Sequence, residues 1–322
     1  MDKIFLNNQV LAYFLEETLS LVISFVALFI AIKILLKWDF NSFSQTQFKL
    51  ENSAYLVSTI VLFLLFIKII STLFFVYTID SLSILVPGAM CAAGVISAND
   101  YGLNLLLVKL ITIFLLLLWV NLNSYDIKAK NYPIIKHKQI LYIAIFISIA
   151  LEFYLSVQYF SNINLNQPVS CCSTLYGQLE GANPLPFGLN ITMLLALFYL
   201  LFVSFLLATF SKMNYILIIV SVLFLYISYY SVVYFFGTYI YELPTHKCPF
   251  CMMQKEYYYV GYLVWGSLFL GTFLAIIYSI IDIWLKYRLN NAKKASIYLI
   301  SFFVLICSYY VLSYYIKNGV LL

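Results

Sequence analysis

The sequence predicts an all-α polytopic membrane protein. Of its 322 residues, 64% are hydrophobic and only 10% are charged, whereas a soluble domain has about 45–50% apolar and about 25% charged residues. Eight segments are apolar over about 20 residues, the length that an α-helix needs to cross the hydrocarbon core of a bilayer. This composition excludes a soluble globular enzyme, a disordered chain and a nucleic-acid-binding surface.

The eight predicted spans follow one another with short connections. They cover residues 14–36, 54–77, 103–122, 140–160, 188–210, 214–236, 258–283 and 296–316. Because the connections are so short, we expect no soluble domain between the spans. The start of the chain, Met1-Asp2-Lys3, lacks the pattern of a cleaved signal peptide, so we expect the first span to remain in the protein.

The positions of lysine and arginine predict the orientation. Twelve of the 18 basic residues fall in connections on one side of the predicted membrane, four fall on the other side, and two lie inside spans. Since basic loops stay in the cytoplasm, both termini and the loops 78–102, 161–187 and 237–257 are expected outside a bacterial inner membrane. The net charge of +5 is therefore an orientation signal and does not indicate an acidic partner.

Five of the six cysteines fall in loops that are predicted to lie outside. They are Cys91 in the first outer loop, Cys171 and Cys172 in the second, and Cys248 and Cys251 in the third. The outer side of such a membrane is oxidising, and thiols there are usually paired or catalytic. One interpretation is a membrane anchor whose outer cysteines form stable structural disulfides, although an odd number of cysteines leaves one unpaired.

The segment Cys248-Pro249-Phe250-Cys251 has the spacing of a redox-active or metal-binding pair. A CxxC motif at the start of a helix gains thiolate stabilisation from the helix dipole, and this motif directly precedes the span at 258–283. A tetrahedral metal site would need further ligands from other loops. We therefore favour redox chemistry over metal binding.

Two segments of the second half carry motifs in a recognisable order. The first is Cys172-Ser173-Thr174-Leu175-Tyr176-Gly177, followed by Gly181-Ala182-Asn183-Pro184-Leu185 and Phe187-Gly188, and the second is Cys248-Pro249-Phe250-Cys251-Met252-Met253-Gln254. In these motifs, and in the order helix, cysteine loop, helix, helix and CxxC-helix, residues 140–283 resemble the vitamin K epoxide reductase (VKOR) family, of which bacterial DsbB is a functional counterpart.

The resemblance implies three regions along the chain. Residues 1–138 would form an N-terminal three-helix membrane region that carries the Cys91 loop. Residues 139–283 would form a VKOR-like four-helix redox bundle, and residues 284–322 would supply a C-terminal transmembrane helix. The chain contains no thioredoxin-like domain, so the resemblance implies that the dithiol partner is a separate protein.

The cysteine loop departs from the family pattern. The family's loop usually has two cysteines several residues apart, whereas Cys171 and Cys172 are adjacent. Either they form a vicinal disulfide, whose strained geometry makes it easier to reduce, or only Cys172 relays electrons and Cys91 supplies the other thiol.

The resemblance implies a quinone-linked thiol–disulfide oxidoreductase. An external thioredoxin-fold dithiol protein would reduce a loop disulfide that involves Cys171 or Cys172, and the loop thiolate would exchange with the CxxC disulfide. The reduced pair would then pass two electrons to ubiquinone or menaquinone. By the same resemblance Cys251 is on the quinone side and Cys248 exchanges with the loop. The direction of electron flow is left open.

Three ionisable residues, Lys68, Lys109 and Glu152, lie inside predicted spans, where each is costly unless it is paired or hydrated. A Lys–Glu pair that holds the N-terminal helices against the redox bundle is the simplest interpretation. The alternatives are a cation that stabilises a quinone anion and a lysine that reaches to the membrane interface. Together with Ser173 and Gln254, which the resemblance places near the quinone, these residues are the candidate quinone-binding set.

The alternative function is not enzymatic. Thiolate and thioether ligands select Cu(I), and Met90, Met252 and Met253 stand beside the outer cysteines. The protein could therefore receive or transport Cu(I) or another soft metal. The candidate ligands are Cys91, Cys171, Cys172, Cys248 and Cys251. In either function, His246 beside the CxxC could lower a thiol pKa or accept a proton.

Overall fold

A computed structural model of the protein describes residues 2–40, 42, 44–129, 132–169, 185 and 188–322. Within these residues there is no strand, and eight helices are long and apolar enough to cross a membrane. The prediction of an all-α, multi-pass membrane protein is confirmed. The helices are α1 (Asn8–Lys37), α2 (Gln45–Ser81), α3 (Tyr101–Asp126), α4 (Ile135–Ser161), α5 (Ile191–Phe210), α6 (Asn214–Tyr241), α7 (Val260–Leu285) and α8 (Asn290–Asn318).

Several helices extend beyond the predicted apolar spans, because side chains cap their first turns. The Asn7 side chain accepts a hydrogen bond from the Gln9 backbone N–H at 2.9 Å, at the start of α1. The Ser44 hydroxyl oxygen accepts one from the Gln47 backbone N–H at 3.3 Å, at the start of α2. These caps satisfy backbone groups that a helix terminus leaves unpaired, so polar first turns continue the helix outside the apolar segment.

The chain divides into two compact units. The first comprises Met1–Leu82 and Ile96–Leu165, and the second comprises Ser83–Val95 and Asn166–Leu322. Helices α1 to α4 therefore belong to the first unit, and α5 to α8 belong to the second. In the first unit α4 packs with α1 and α3, whereas the predicted regions group it with the later helices.

The first unit has a buried core between helices whose outer faces are apolar. Ala27 and Ala31 are fully buried on α1, where small side chains let neighbouring helices approach closely. The Tyr142 hydroxyl donates a hydrogen bond to the Ser24 carbonyl oxygen at 2.9 Å. Large apolar side chains such as Leu15 are exposed on the outside of the unit, as expected for a surface that faces lipid.

The second unit has an aromatic core. The Phe198 ring centroid lies 5.0 Å from that of Phe236 and 6.0 Å from that of Phe303. Helices α7 and α8 meet at Gly271, where an added Cβ would lie 2.8 Å from Ile300 Cγ1 and 3.3 Å from the Ile300 backbone nitrogen. Glycine is therefore required for this close approach of the two helices.

Candidate functional site

Three cysteines meet in the second unit. Cys91, Cys248 and Cys251 are buried, and their Sγ atoms all lie within 4.8 Å of one another. The Sγ atoms of Cys91 and Cys248 are 3.7 Å apart, which is a contact distance and not the ~2.05 Å of a disulfide bond. Residues that are far apart in the sequence therefore form one compact sulfur centre, which we call the cysteine cluster.

The CxxC segment forms a tight local turn. The Phe250 backbone N–H points to Cys248 Sγ, with an N···S distance of 3.4 Å. A 3₁₀ turn over Cys251–Met253 follows, and the Gln254 backbone N–H donates to the Cys251 carbonyl oxygen at 3.0 Å. The turn therefore places a backbone N–H donor at the Cys248 sulfur.

The motif does not open the next long helix, contrary to the expectation that a helix dipole acts on it. Residues 252–259 lie between the motif and α7, which begins at Val260. The last two of them, Tyr258 (φ 53°) and Tyr259 (φ 56°), have left-handed conformation. The field of a helix terminus falls off within its first turn. The group that lies at the Cys248 sulfur is therefore the Phe250 backbone N–H and not the N-terminus of α7.

Two aromatic side chains hold the CxxC turn. The Tyr241 hydroxyl donates to the Cys248 carbonyl oxygen and accepts from the Met252 backbone N–H at 3.1 Å. The Trp265 Nε1–H donates to the Pro249 carbonyl oxygen at 3.0 Å. The sequence analysis missed both residues. Their proximity to the motif was the available signal, but nothing distinguished Tyr241 among 29 tyrosines.

A Tyr241→Phe variant should be less stable, because it leaves a buried carbonyl oxygen and a buried N–H without their shared hydroxyl partner. We expect the free energy of unfolding to fall by about 1–3 kcal/mol, and Cys248 to react faster with a thiol reagent. Thermal unfolding in detergent and the labelling rate measure these effects. Tyr257→Phe, which keeps the ring that packs 4.8 Å from Tyr241, is the control. Equal melting temperatures for the two variants would refute the role of the Tyr241 hydroxyl.

The turn also depends on a close approach to α7. A Cβ at Gly261 would lie 2.6 Å from Met252 Cγ, 2.7 Å from Met253 Cγ and 2.9 Å from the Met252 carbonyl carbon. We expect Gly261→Ala to displace the turn and to lower stability by about 1–3 kcal/mol. Gly266→Ala in the same helix is the matched control, since nothing lies within 4 Å of its added Cβ. Differential scanning calorimetry would compare the two variants. Equal melting temperatures for Gly261→Ala and Gly266→Ala would show that the turn can move to make room for the added Cβ.

The backbone near Cys91 is hydrogen-bonded to the segment that directly precedes Cys171 in the sequence. The Val169 backbone N–H donates to the Pro87 carbonyl oxygen at 2.8 Å. Gly88 has φ +79°, and a Cβ there would lie 2.5 Å from the Val169 carbonyl oxygen. Only glycine fits this conformation and approach. The chain two residues before Cys171 is therefore held against the chain four residues before Cys91.

His246 lies in the same loop as the CxxC. Its Nε2 atom is buried and has no hydrogen-bond partner among the described residues, and its ring centroid lies 4.4 Å from that of Tyr241. Burial lowers the pKa of His246 below its usual value, while a charge on Cys91 acts in the opposite direction. At neutral pH the imidazole is uncharged, which suits a proton acceptor.

The other predicted residues fall into three groups. Cys171, Cys172 and Ser173 lie outside the described residues. Gln254 is half-buried directly after the CxxC turn. Lys68, Lys109 and Glu152 lie in the first unit, buried together with Glu17 in a network of ion pairs. The predicted Lys–Glu pair is therefore present.

Glu17 was missed in the sequence analysis. It lies near the start of the first predicted span, where a carboxylate is expected to reach the membrane interface. In the structure α1 begins at Asn8, so Glu17 is two and a half turns inside the helix and faces the other charges. The sequences of the two helices do not show that Glu17 on α1 and Lys68 on α2 face each other, because that depends on how the helices pack.

In comparisons with known proteins, no family model, no curated protein and no solved structure matches this chain.

Proposed function

We propose that the protein is a thiol–disulfide oxidoreductase that moves electrons between an external dithiol protein and a membrane quinone. The observation that carries this proposal is the buried contact between Cys91 Sγ and Cys248 Sγ at 3.7 Å, beside Cys251. A nucleophilic sulfur and one sulfur of a CxxC pair are thereby held in contact, as thiol–disulfide exchange requires.

The exchange begins with a disulfide between Cys248 and Cys251 and a reduced Cys91. The Cys91 thiolate attacks Cys248 Sγ, so that the Cys91–Cys248 bond forms and the Cys248–Cys251 bond breaks. Cys251 leaves as a thiolate with the electron pair. His246, which interacts electrostatically with Cys91, accepts the proton that the Cys91 thiol loses. Cys91 is chosen as the attacking group because its sulfur contacts Cys248.

A second thiol completes the transfer. The thiolate of Cys171 or Cys172 attacks Cys91 Sγ, which forms a loop disulfide and releases Cys248 as a thiolate. The external partner's dithiol reduces that loop disulfide and is itself oxidised. Two electrons have then moved from the partner to the CxxC pair. The anchoring of Val169 to Pro87 supports this pairing of loops, because it restrains the chain two residues before Cys171.

The proposed acceptor is ubiquinone or menaquinone, which takes up two electrons and two protons from the reduced CxxC. We assign Cys251 to this step by the family resemblance, with Cys248 as the sulfur that exchanges with Cys91. Gln254 and Ser173 are the residues assigned to hold the quinone. The hydrogen bond from the Gln254 backbone N–H to the Cys251 carbonyl oxygen fits this assignment, since it ties Gln254 to the CxxC turn. The buried ion pairs of Lys68, Lys109 and Glu152 are not needed for it.

We further infer a bacterial inner membrane location with the cysteine cluster on the outer side. The excess of basic residues in the opposite loops supports this orientation. The order of the cysteine loop and the CxxC supports a relationship to the VKOR family. In the structure α4 belongs to the first unit, whereas the family resemblance groups this helix with the CxxC segment.

The test is quinone reduction by purified protein. A reduced thioredoxin-fold dithiol protein is mixed with the full chain and a soluble ubiquinone or menaquinone analogue, and quinol and partner disulfide are measured. We expect equal amounts of the two products from the unaltered protein and none from Cys248→Ser. Ordinary turnover by Cys248→Ser would refute the mechanism.

A Cu(I)-binding protein is the second candidate, and one observation favours it. Three buried thiols whose sulfur atoms lie within 4.8 Å of one another have the number, softness and spacing of a trigonal thiolate site. This function predicts one equivalent of tightly bound Cu(I) in protein prepared without oxygen, together with no quinone reduction. Loss of that binding in Cys91→Ser would separate this site from adventitious copper.

A further inference from the structure

The first unit contains a buried charge cluster with one member from each of its four helices. Glu17 on α1, Lys68 on α2, Lys109 on α3 and Glu152 on α4 are each at most 1% exposed. Lys109 Nζ lies 2.7 Å from Glu17 Oε1 and 2.6 Å from Glu152 Oε1. Lys68 Nζ lies 2.7 Å from Glu17 Oε2 and 3.3 Å from Glu152 Oε1.

The two buried carboxyl groups differ in their hydrogen bonds. Both oxygens of Glu17 accept from a lysine, as an ionised carboxylate does. In Glu152 both lysines donate to Oε1, whereas Oε2 is buried and has no hydrogen-bond partner in the described part of the chain. An ionised carboxylate would leave the lone pairs of Oε2 unsatisfied. In a protonated acid Oε1 remains the carbonyl acceptor, and the atom without a partner is a neutral hydroxyl, which costs less to bury than a charged oxygen.

The four buried groups balance when all are ionised, and a fifth group, Glu16, changes that balance. Glu16 joins the cluster at the edge: its side chain is 24% exposed, it lies 3.8 Å from Lys68 Nζ, and it accepts hydrogen bonds from the Ser20 and Ser71 hydroxyls. Three carboxylates and two ammonium groups would leave one net negative charge. Glu16 is only partly hydrated, so an excess charge on the cluster is unfavourable, and a single bound proton removes it.

We propose that Glu152 binds an exchangeable proton on Oε2, so that the first unit is a proton-binding unit of the membrane protein. With that proton in place, Glu16 and Glu17 balance Lys68 and Lys109. The titratable and charged groups around the site are Tyr13, Glu16 and Glu17 on α1, Lys68 on α2 and Lys109 on α3. This inference is independent of the proposed redox function, since it uses no cysteine and no quinone.

Polar groups continue from Glu152 toward the end of α4. The Ser156 hydroxyl donates to the Glu152 carbonyl oxygen at 2.8 Å, and its oxygen lies 2.7 Å from the Tyr13 hydroxyl oxygen. These hydroxyls lie one turn above Glu152, in a region that would otherwise be apolar. Both hydroxyls are fully buried, so we infer that the proton exchanges with water at the edge of the cluster, where the Glu16 side chain is 24% exposed.

Infrared spectroscopy of the full protein tests the proposal directly. We expect a protonated carboxylic acid band at neutral pH that shifts in D₂O, disappears in Glu152→Gln and persists in Glu242→Gln, whose carboxyl group is exposed. Absence of the band in the unaltered protein, or its persistence in Glu152→Gln, would overturn the proposal. A missing band combined with stabilisation by sodium would assign the site to a metal cation and would equally overturn it.

Two variants, Glu152→Gln and Glu17→Gln, test the charge balance of the cluster. Glutamine has the shape and neutrality of a protonated glutamate, so Glu152→Gln should fold and melt close to the unaltered protein. Failure of this variant to fold would show that an ionised Glu152 is needed and would contradict the proposal. In Glu17→Gln one negative charge is lost, and Glu152 should ionise in compensation. The acid band should then vanish although Glu152 is still present, and its persistence would argue against the charge balance.

Discussion

The Cys91→Ser variant should transfer electrons from the dithiol partner to quinone at least about 1,000-fold more slowly than the unaltered protein. Removing the attacking atom of a nucleophilic step costs several orders of magnitude, because serine oxygen does not attack a disulfide. In the proposed mechanism Cys91 is the attacking group, because its Sγ lies 3.7 Å from Cys248 Sγ. The initial rate of quinol formation measures the effect.

The matched control is Cys307→Ser. Cys307 is also buried, but it lies in α8 and is not a member of the cysteine cluster. We expect this variant to keep the rate of the unaltered protein. Undiminished turnover by Cys91→Ser would remove Cys91 from the pathway and return the relay to Cys171 and Cys172 alone. The Cys251→Ser variant adds a covalent readout, since mild oxidation should link Cys91 to Cys248 in a bond that peptide mapping detects.

The Lys109→Met variant should lose about 3–5 kcal/mol of stability, because it removes one partner of a buried ion network and leaves the other charges there. Lys109 Nζ contacts both Glu17 and Glu152 and lies 4.8 Å from the centroid of the Tyr13 ring. Methionine keeps much of the side-chain volume, so the loss reports on charge. Thermal unfolding of the detergent-solubilised protein is the measurement.

Lys317→Met serves as the control for that effect. Its ion pair with Glu242 is 3.1 Å long, but the two side chains are 66% and 55% exposed, and exposed pairs contribute about 1 kcal/mol or less. We therefore expect a small change in melting temperature. If Lys109→Met unfolded at the same temperature as Lys317→Met, the buried network would be dispensable for stability.

The helices could be predicted from the sequence because membrane insertion depends on the length of apolar segments, which is a local property. Six of the eight predicted spans lie entirely inside the observed helices, and the spans 188–210 and 258–283 begin three and two residues before α5 and α7. The cysteine cluster required more, since Cys91 and Cys248 are separated by 157 positions and only packing brings their loops together. The distribution of basic residues predicts that both residues lie on one side of the membrane, and the structure shows the contact between them.

The membership of α4 in the first unit could not be predicted for a related reason. Motif order and the family resemblance assigned this helix to the redox bundle, whereas its buried carboxyl group pairs with α2 and α3. The sequence identified Lys68, Lys109 and Glu152 as needing partners. Without Glu17, however, it could not identify a network that draws one residue from each of four helices.

The pairing within the charge cluster has a consequence for biogenesis. Two of its shortest contacts join helices that are consecutive in the chain: Glu17 with Lys68 at 2.7 Å in the α1–α2 hairpin, and Lys109 with Glu152 at 2.6 Å in the α3–α4 hairpin. A single helix leaving the translocon would expose an unpaired ionisable side chain to lipid, whereas each hairpin already joins a lysine to a glutamate at this depth. The distribution of charge therefore favours insertion of the first unit two helices at a time.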